Sequence, residues 1–500
     1  MKHIVLFGAG KSATCLIDFL CKKAIEKQWK LTVADADIVQ AQTKIVPAIN
    51  IIAASVDVTD NNQRGNLVSS ASLVISLLPP TLHVLVAQDC LLFHKDLFTA
   101  SYLSDDIRNM QAEVENAKLL FLCEMGLDPG IDHMSAMELL HRIKEDGGAV
   151  HTFRSHCGGL VAPESDDNPW KYKISWNPRN VIHAGKQGAD FLENDEEVHI
   201  NYEMLFDATR TVEFPGLGKL AYYPNRDSLA YIALYDLQQV QTFVRTTLRY
   251  PEFCFGWKHL IDLKLTSDEE MYQTDGLTLQ DFFLQHFNKH NFSEWLTGKL
   301  STRFSQSREL LLKLEELIDA ERIAGPNVSD EIIMVDKAGD LQHYNIDKVK
   351  MKTNELVTSQ VYEANLIINQ LIFLGIFDDS TLINKGKCSA ADVLQFAIET
   401  KWKLEEHDKD MIVMLHEIGY EKNGENFKTV SSLVVKGDDN LRTAMAKTVG
   451  LPLGIAAILR LEGKLPLNGV HIPILPAIYK PVLKELAIHQ VNFNETVFYE

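Results

Sequence analysis

Short apolar runs recur through the first quarter of the chain, separated by stretches in which apolar residues return at helical spacing. Residues 4–7, 31–34, 50–54, 73–78, 97–101 and 118–123 read as buried strands, and residues 14–20 as an amphipathic helix between the first two. Strand and helix in strict alternation predict a doubly wound parallel α/β sheet. Asp128 before Pro129 gives a helix-start signal, and Ile131, Met134, Met137 and Leu140 place one apolar face on the helix that follows. From about 150 to 250 the chain alternates strand-like and polar pieces; from about 255 to 400 it turns charged and helical, as at residues 309–317. Strands return at 411–415 and 431–435, and residues 443–463 form a long Ala- and Leu-rich helix stopped by Gly463.

The first turn decides between two phosphate-binding loops. VLFGAGKS, residues 5–12, ends like a Gly-x-x-x-x-Gly-Lys-Ser loop, but the position five before Gly10 is Val5, inside the first strand. A loop that wraps a polyphosphate has no room there. Gly8, Gly10, Lys11, Ser12 and Ala13 instead fit the Gly-x-Gly-x-x-Ala turn of a dinucleotide fold, and Asp35 ends the second strand where a ribose-binding acid belongs. In such a sheet ligands lie beyond the carboxyl ends of the strands, which places Ser76, Leu77, Leu78 and Pro79, with Ser101 and Tyr102, beside the nicotinamide half of the cofactor.

Composition narrows the setting. Five hundred residues call for two or three domains, and a 46% hydrophobic, 23% charged chain is globular. A net charge of −19 argues against a nucleic-acid or anionic-membrane surface, and no apolar run reaches the length of a bilayer span. The seven cysteines form no Cys-x-x-Cys pair, so a reduced, cytoplasmic chain is expected. His151, His156 and Cys157 fall in HTFRSHC, whose strand alternation sends them to different faces; no metal site is expected.

GLDPGIDHM, HCGGLVAPESDDNPWKYKISW, YPNRDS, TLRYPEF, LVVKGDDN and TAMAKTVGLP, in that order along most of the chain, resemble saccharopine dehydrogenase of the glutamate-forming type. The helical middle and residues 180–206 match less well. The resemblance implies a Rossmann-type sheet from residues 1–125 plus about 440–500, a mixed α/β substrate and dimerisation domain from 126–255 plus about 405–440, and a mainly helical domain at 256–404. It also implies a homodimer and an oxidation in lysine metabolism: saccharopine, oxidised nicotinamide cofactor and water give glutamate and 2-aminoadipate 6-semialdehyde. Two other readings stay open. One is a superfamily amine dehydrogenase acting on lysine or a carboxy-polyamine, which calls for acids where Arg226 stands. The other is a non-catalytic dinucleotide sensor, which has no use for Ser101, Tyr102, Asp128, Cys157 and Arg226 together.

A tricarboxylate substrate needs cations, and Arg226, Arg245 and Arg249 answer that need. The family pattern further implies substrate contacts from Ser101, Tyr102, Leu127, Asp128, Thr246, Thr247 and Leu248, with Thr246 departing from the glycine common there. Asp128, Tyr102 and Cys157 are the acid/base candidates, Asp128 doubling as a helix cap. Asp57, Val58 and Lys173 complete the implied cofactor contacts. The expected cofactor is NAD, with NADP disfavoured: NADP-dependent members carry Arg after the second strand, where this chain has Val33-Ala34-Asp35-Ala36-Asp37. The competing arrangement has Asp37 capping the next helix and Lys44 admitting NADP.

Overall fold

The computed structural model describes residues 1–207, 209–299, 301, 331–335 and 341–499; the charged run at 309–317 lies outside them. The strands predicted in the first quarter all form: β1 (His3–Phe7), β2 (Lys30–Asp35), β3 (Ile51–Ser55), β4 (Leu73–Ser76), β5 (Asp96–Thr99) and β6 (Leu120–Leu122). They pair in parallel in the order β6-β5-β4-β1-β2-β3. The order reverses beside β1, so a crevice opens at the carboxyl ends of β1 and β4. Between strands lie α1 (Thr14–Lys27), α2 (Ile38–Lys44) and α3 (His83–Leu92), and α4 (Ile131–Glu145) leads out of the sheet.

A second, ten-stranded mixed sheet is centred on β7 (Ala149–Val161), flanked by β8 (Thr242–Arg249) and β9 (Asp410–Lys422), with β10 (Glu425–Lys436) beyond. β8 runs parallel to β7, and β9 antiparallel to it. After β10 the chain returns to the first sheet: α5 (Ala444–Leu461) packs on α1, and β11 (Gly469–His471) extends the parallel edge beside β6. Gly463, at φ +78°, ends this helix as predicted.

The expectation that no segment reaches bilayer-spanning length needs correction, since α5 is 18 residues long and apolar enough. It is a core helix, 72% buried inside the protein. Its Pro and glycines are tolerated because its neighbours, not solvent, surround it.

Both sheets belong to one compact unit, residues 1–167, 171–255 and 402–500. The other unit, residues 168–170 and 256–401, carries the helices Leu279–Lys289, Ile346–Leu374 and Ala390–Lys401 and two small antiparallel ladders.

Candidate active site

The glycine turn caps β1. Gly8 adopts φ +100°, and a Cβ there would come within 2.6 Å of the Leu77 carbonyl oxygen, so only glycine fits. Gly10 faces open space, with nothing within 4 Å of where its Cβ would stand. Lys11 is exposed, Ser12 half-buried and Ala13 buried beneath the start of α1. A turn of this shape offers close backbone approach to a pyrophosphate.

Asp35 is already committed. One carboxylate oxygen accepts from the Ala9 N–H at 2.6 Å and the other from the Asp37 N–H at 2.9 Å. Asp37 caps α2, accepting from the N–H groups of Val39 and Gln40. Lys44, at the other end of α2, donates to the carbonyls of Ala9 and Gly10, each at 2.6 Å. Burial lowers the Lys44 pKa, and Asp35 opposes that shift. The turn thus carries a cation beside its acid. Asp57 is exposed and accepts from the N–H and hydroxyl of Thr59, while the buried Val58 accepts from Arg64 through its carbonyl.

At the carboxyl ends of β4 and β5 the predicted serines meet through a residue the pattern did not single out. His83 Nδ1 bonds Ser76 Oγ at 2.8 Å and its Nε2 bonds Ser101 Oγ at 2.7 Å. Burial pushes this imidazole down to about 4, so it is a neutral bridge. Leu77 and Leu78 are half-buried and Pro79 exposed on the way out.

Beyond these ends stands a carboxyl–arginine centre. A single Arg245 nitrogen, Nη2, donates to Asp128 at 2.7 Å and to Asp132 at 2.8 Å, and the guanidinium lies 4.4 Å above the Tyr231 ring. Tyr102 donates to the same Asp128 oxygen at 3.3 Å. Arg226 is exposed and stacks its guanidinium 4.9 Å above the Tyr102 ring. Behind Asp132, buried His133 bonds Glu124 at 2.9 Å and also Tyr235.

The two carboxyls are tuned apart. Burial and the neighbouring Asp132 raise the Asp128 pKa, against the pull of Arg245. For Asp132 burial acts upward too, but His133, Arg245 and the Gly130 N–H outweigh it and hold the group below the usual range. Asp132 is thus held toward its ionised form, and Asp128, with a 15% exposed side chain, is pushed toward its protonated form.

Several expectations change. Asp128 does not cap α4; the cap position is Gly130, whose N–H is taken by Asp132, because the Asp128 carboxylate is drawn to Arg245. Arg245, paired with two acids, is not a free clamp. Cys157 lies near this centre, but burial and then the charges of Asp128 and Asp132 raise its pKa well above the thiol value, so it remains a neutral thiol. Successive β8 side chains alternate faces: Thr246 bonds His156 and Leu248 joins an apolar cluster with Leu160 and Met411, leaving Thr247 on the Arg245 side. Lys173 is buried with its ammonium between Asp167 and Asp408, 2.7 Å from each. Leu127 is buried at the loop before α4. In the other unit Glu270, His286 and His290 gather within 4.8 Å, a cluster whose members already bond one another or Tyr272.

The missed residues had weak signals. Asp132 follows Asp128 by one helical turn within GIDHM, and His83 opens the helix after Pro79-Pro80. His133, Tyr231 and Tyr235 read as ordinary core positions.

A parallel dinucleotide-type sheet with a tuned pair of carboxyls beyond its strand ends defines a Rossmann-type α/β protein. The chain belongs to the saccharopine dehydrogenase family: residues 4–122 match its NADP binding domain and residues 126–491 its C-terminal domain. The saccharopine dehydrogenase [NADP(+), L-glutamate-forming] of Saccharomyces cerevisiae is 29% identical over 487 residues, covering 97% of this chain and 96% of that protein. The mitochondrial alpha-aminoadipic semialdehyde synthase of Bos taurus is 30% identical over 99% of this chain, which spans 47% of that longer protein. A solved apo structure of the Saccharomyces cerevisiae L-Glu-forming enzyme superposes over 100% of both chains, with TM-score 0.77 at 26% identity.

These matches overturn the expected preference for NAD, because the family model and the named yeast relative both specify NADP. The structure supplies the physical reason. Asp35 spends both oxygens on backbone N–H groups, Asp37 is a helix cap, and Lys44 supplies the nearby positive charge that the residues just after β2 lack.

Proposed function

We propose that the protein oxidises the secondary amine of saccharopine with NADP as hydride acceptor, releasing glutamate and 2-aminoadipate 6-semialdehyde. The observation that carries this reading is the Asp128 carboxyl, raised in pKa and placed between Tyr102 and Arg245 beyond the strand ends. Gly8 makes the tight turn against Leu77 and Gly10 leaves the backbone open for a pyrophosphate, so the residues present fit the dinucleotide. Bound there, it would supply a hydride acceptor at the strand ends.

The chain's own groups handle the protons. Asp128 takes the proton of the secondary ammonium, because only the neutral amine can lose hydride from the adjoining carbon and become an imine. Once that proton has passed to solvent, the carboxylate accepts a proton from the water that adds to that carbon and returns it to nitrogen. As the C–N bond of the carbinolamine breaks, its hydroxyl proton passes back to Asp128, the aldehyde forms and glutamate leaves as the amine. Asp132 keeps Arg245 neutralised throughout, so Arg245 positions Asp128 and does not compete for substrate carboxylates. Arg226, exposed and stacked on Tyr102, is placed to bind one of them. Lys44 supports NADP by offering an ammonium beside the turn for the 2′-phosphate.

The test is an absorbance assay of the purified protein with saccharopine or lysine and each oxidised cofactor. Turnover of saccharopine, faster with NADP, is expected. Lys44→Glu should lower kcat/KM for NADP by about tenfold or more while changing the NAD value little. Turnover of lysine but not saccharopine would refute the assignment.

A further inference from the structure

The arginine four residues beyond Arg245 on the same strand is in the opposite electrostatic condition. Arg249 is only 4% exposed, yet among the described residues no carboxylate pairs with it. Its Nη1 donates to the carbonyls of Leu248 at 2.8 Å and Gly159 at 3.3 Å, and its Nε, buried, has no acceptor. The guanidinium lies 5.3 Å from the Tyr172 ring, 5.4 Å from that of Phe253 and 6.0 Å from that of Tyr223. Aromatic faces and two carbonyls hold a cation in place but leave its full charge without a counter-ion, a costly state for a buried group.

The alternation along β8 puts Arg245, Thr247 and Arg249 on one side. Thr247 pairs with Cys157 on β7, and the Cys157 thiol feels both arginines as well as Asp128 and Asp132. The acid/base centre and the unpaired guanidinium are therefore the two ends of one strip. Four residues of strand span about 13 Å, on the scale of an extended chain with carboxylates at both ends.

We propose that Arg249 receives a terminal carboxylate of the substrate, at the end away from the C–N bond that is oxidised at Asp128. This inference rests on the saccharopine reading above. It makes the strip a ruler: the substrate supplies the counter-charge that the protein omits, and an amine without that carboxylate is left facing a buried, unneutralised guanidinium.

Saccharopine has two such ends, so the experiment has two arms. Steady-state kinetics are measured with saccharopine, with an analogue lacking the carboxylate of the lysine end, and with one lacking the side-chain carboxylate of the glutamate end. In the wild-type protein one analogue should lose about ten- to a hundredfold in kcat/KM, and Arg249→Met should bring saccharopine down to the level of that analogue, mainly through KM. The KM for NADP and the turnover of the poor analogue should stay as they were. A merely structural arginine would lower all three substrates together, and retained discrimination against both analogues, or none in the wild type, overturns the proposal. Should Arg249→Met not fold, Arg249→Lys keeps a cation over the rings but loses the bidentate fork, and the same ratio should fall in part. Failure of the wild-type protein to oxidise saccharopine at all would instead refute the reading on which this one rests.

Discussion

Asp128 and Asp132 share one nitrogen of Arg245, yet their surroundings drive them to opposite tasks. Asp132 accepts from the backbone as well as from the guanidinium and is only 2% exposed, so it is built to stay ionised. Among the described residues no backbone N–H donates to Asp128, which meets the Tyr102 hydroxyl at the rim. The pair therefore separates by mutation. Asp128→Asn keeps shape and hydrogen bonding but cannot carry a proton, so kcat should fall by roughly 10²–10⁴. Its melting temperature should hold or rise, because a carboxylate whose pKa is raised by burial is costly in its ionised form at neutral pH. Asp132→Asn should do the reverse to stability, leaving Arg245 with one anion and weakening the acceptor for Gly130. Kinetics and thermal melts on the two variants check this, and a stable Asp132→Asn protein would contradict the assignment.

At the level of elements, the parallel sheet was legible because its strands are apolar runs with no polar face, bounded by helices of clear period. All six predicted strands of the first sheet form, and the turn geometry follows from Gly8 and Gly10. What escaped was pairing over long separations. Arg245 lies 117 residues from Asp128, so nothing local tells a paired arginine from a free one. The cofactor choice failed for the same reason: Asp35 looked available until the fold gave both its oxygens to the backbone, and Lys44 returns to Ala9 from 35 residues away. The role of α5 was also hidden. At its Gly450 the α1 backbone comes close, since a Cβ there would stand 2.9 Å from Leu16 Cβ and 3.0 Å from Leu16 N, just after the nucleotide turn. Gly450→Val should overpack this contact, cost about 1–3 kcal/mol, and push the start of α1 away from the turn. Denaturant unfolding should show the loss of stability, and titration with NADPH fluorescence a weaker affinity; unchanged values would mean that the helices separate without strain.

Over the whole molecule, buried imidazoles and paired carboxylates make acid the natural denaturant. Burial pushes His83 and His416 each down to about 4, against 6.5 for a free imidazole. Between those values the unfolded chain binds two protons that the native state refuses, so stability falls as pH drops through 6.5 and goes on falling until about 4. The slope from each group is about 1.4 kcal/mol per pH unit in that window. Lower still, Glu270 and Glu417, where hydrogen-bonded partners outweigh burial, and Glu462, paired with Lys27 and Lys464, each sit at about 2; they take up protons in the unfolded state first and extend the loss. One effect opposes this: the net charge of −19 shrinks as acid is added, which relieves self-repulsion. Repulsion between dispersed surface charges is screened by salt, whereas the buried imidazoles are not, so the two terms separate at high ionic strength. Melting temperatures from pH 7.5 to 4.5 in concentrated salt should therefore decline steadily. In His83→Gln, which still reaches the hydroxyls of Ser76 and Ser101, the decline should be shallower by about one proton's worth. An equal slope in the variant would show that His83 protonates in the folded protein and contributes nothing to its acid lability.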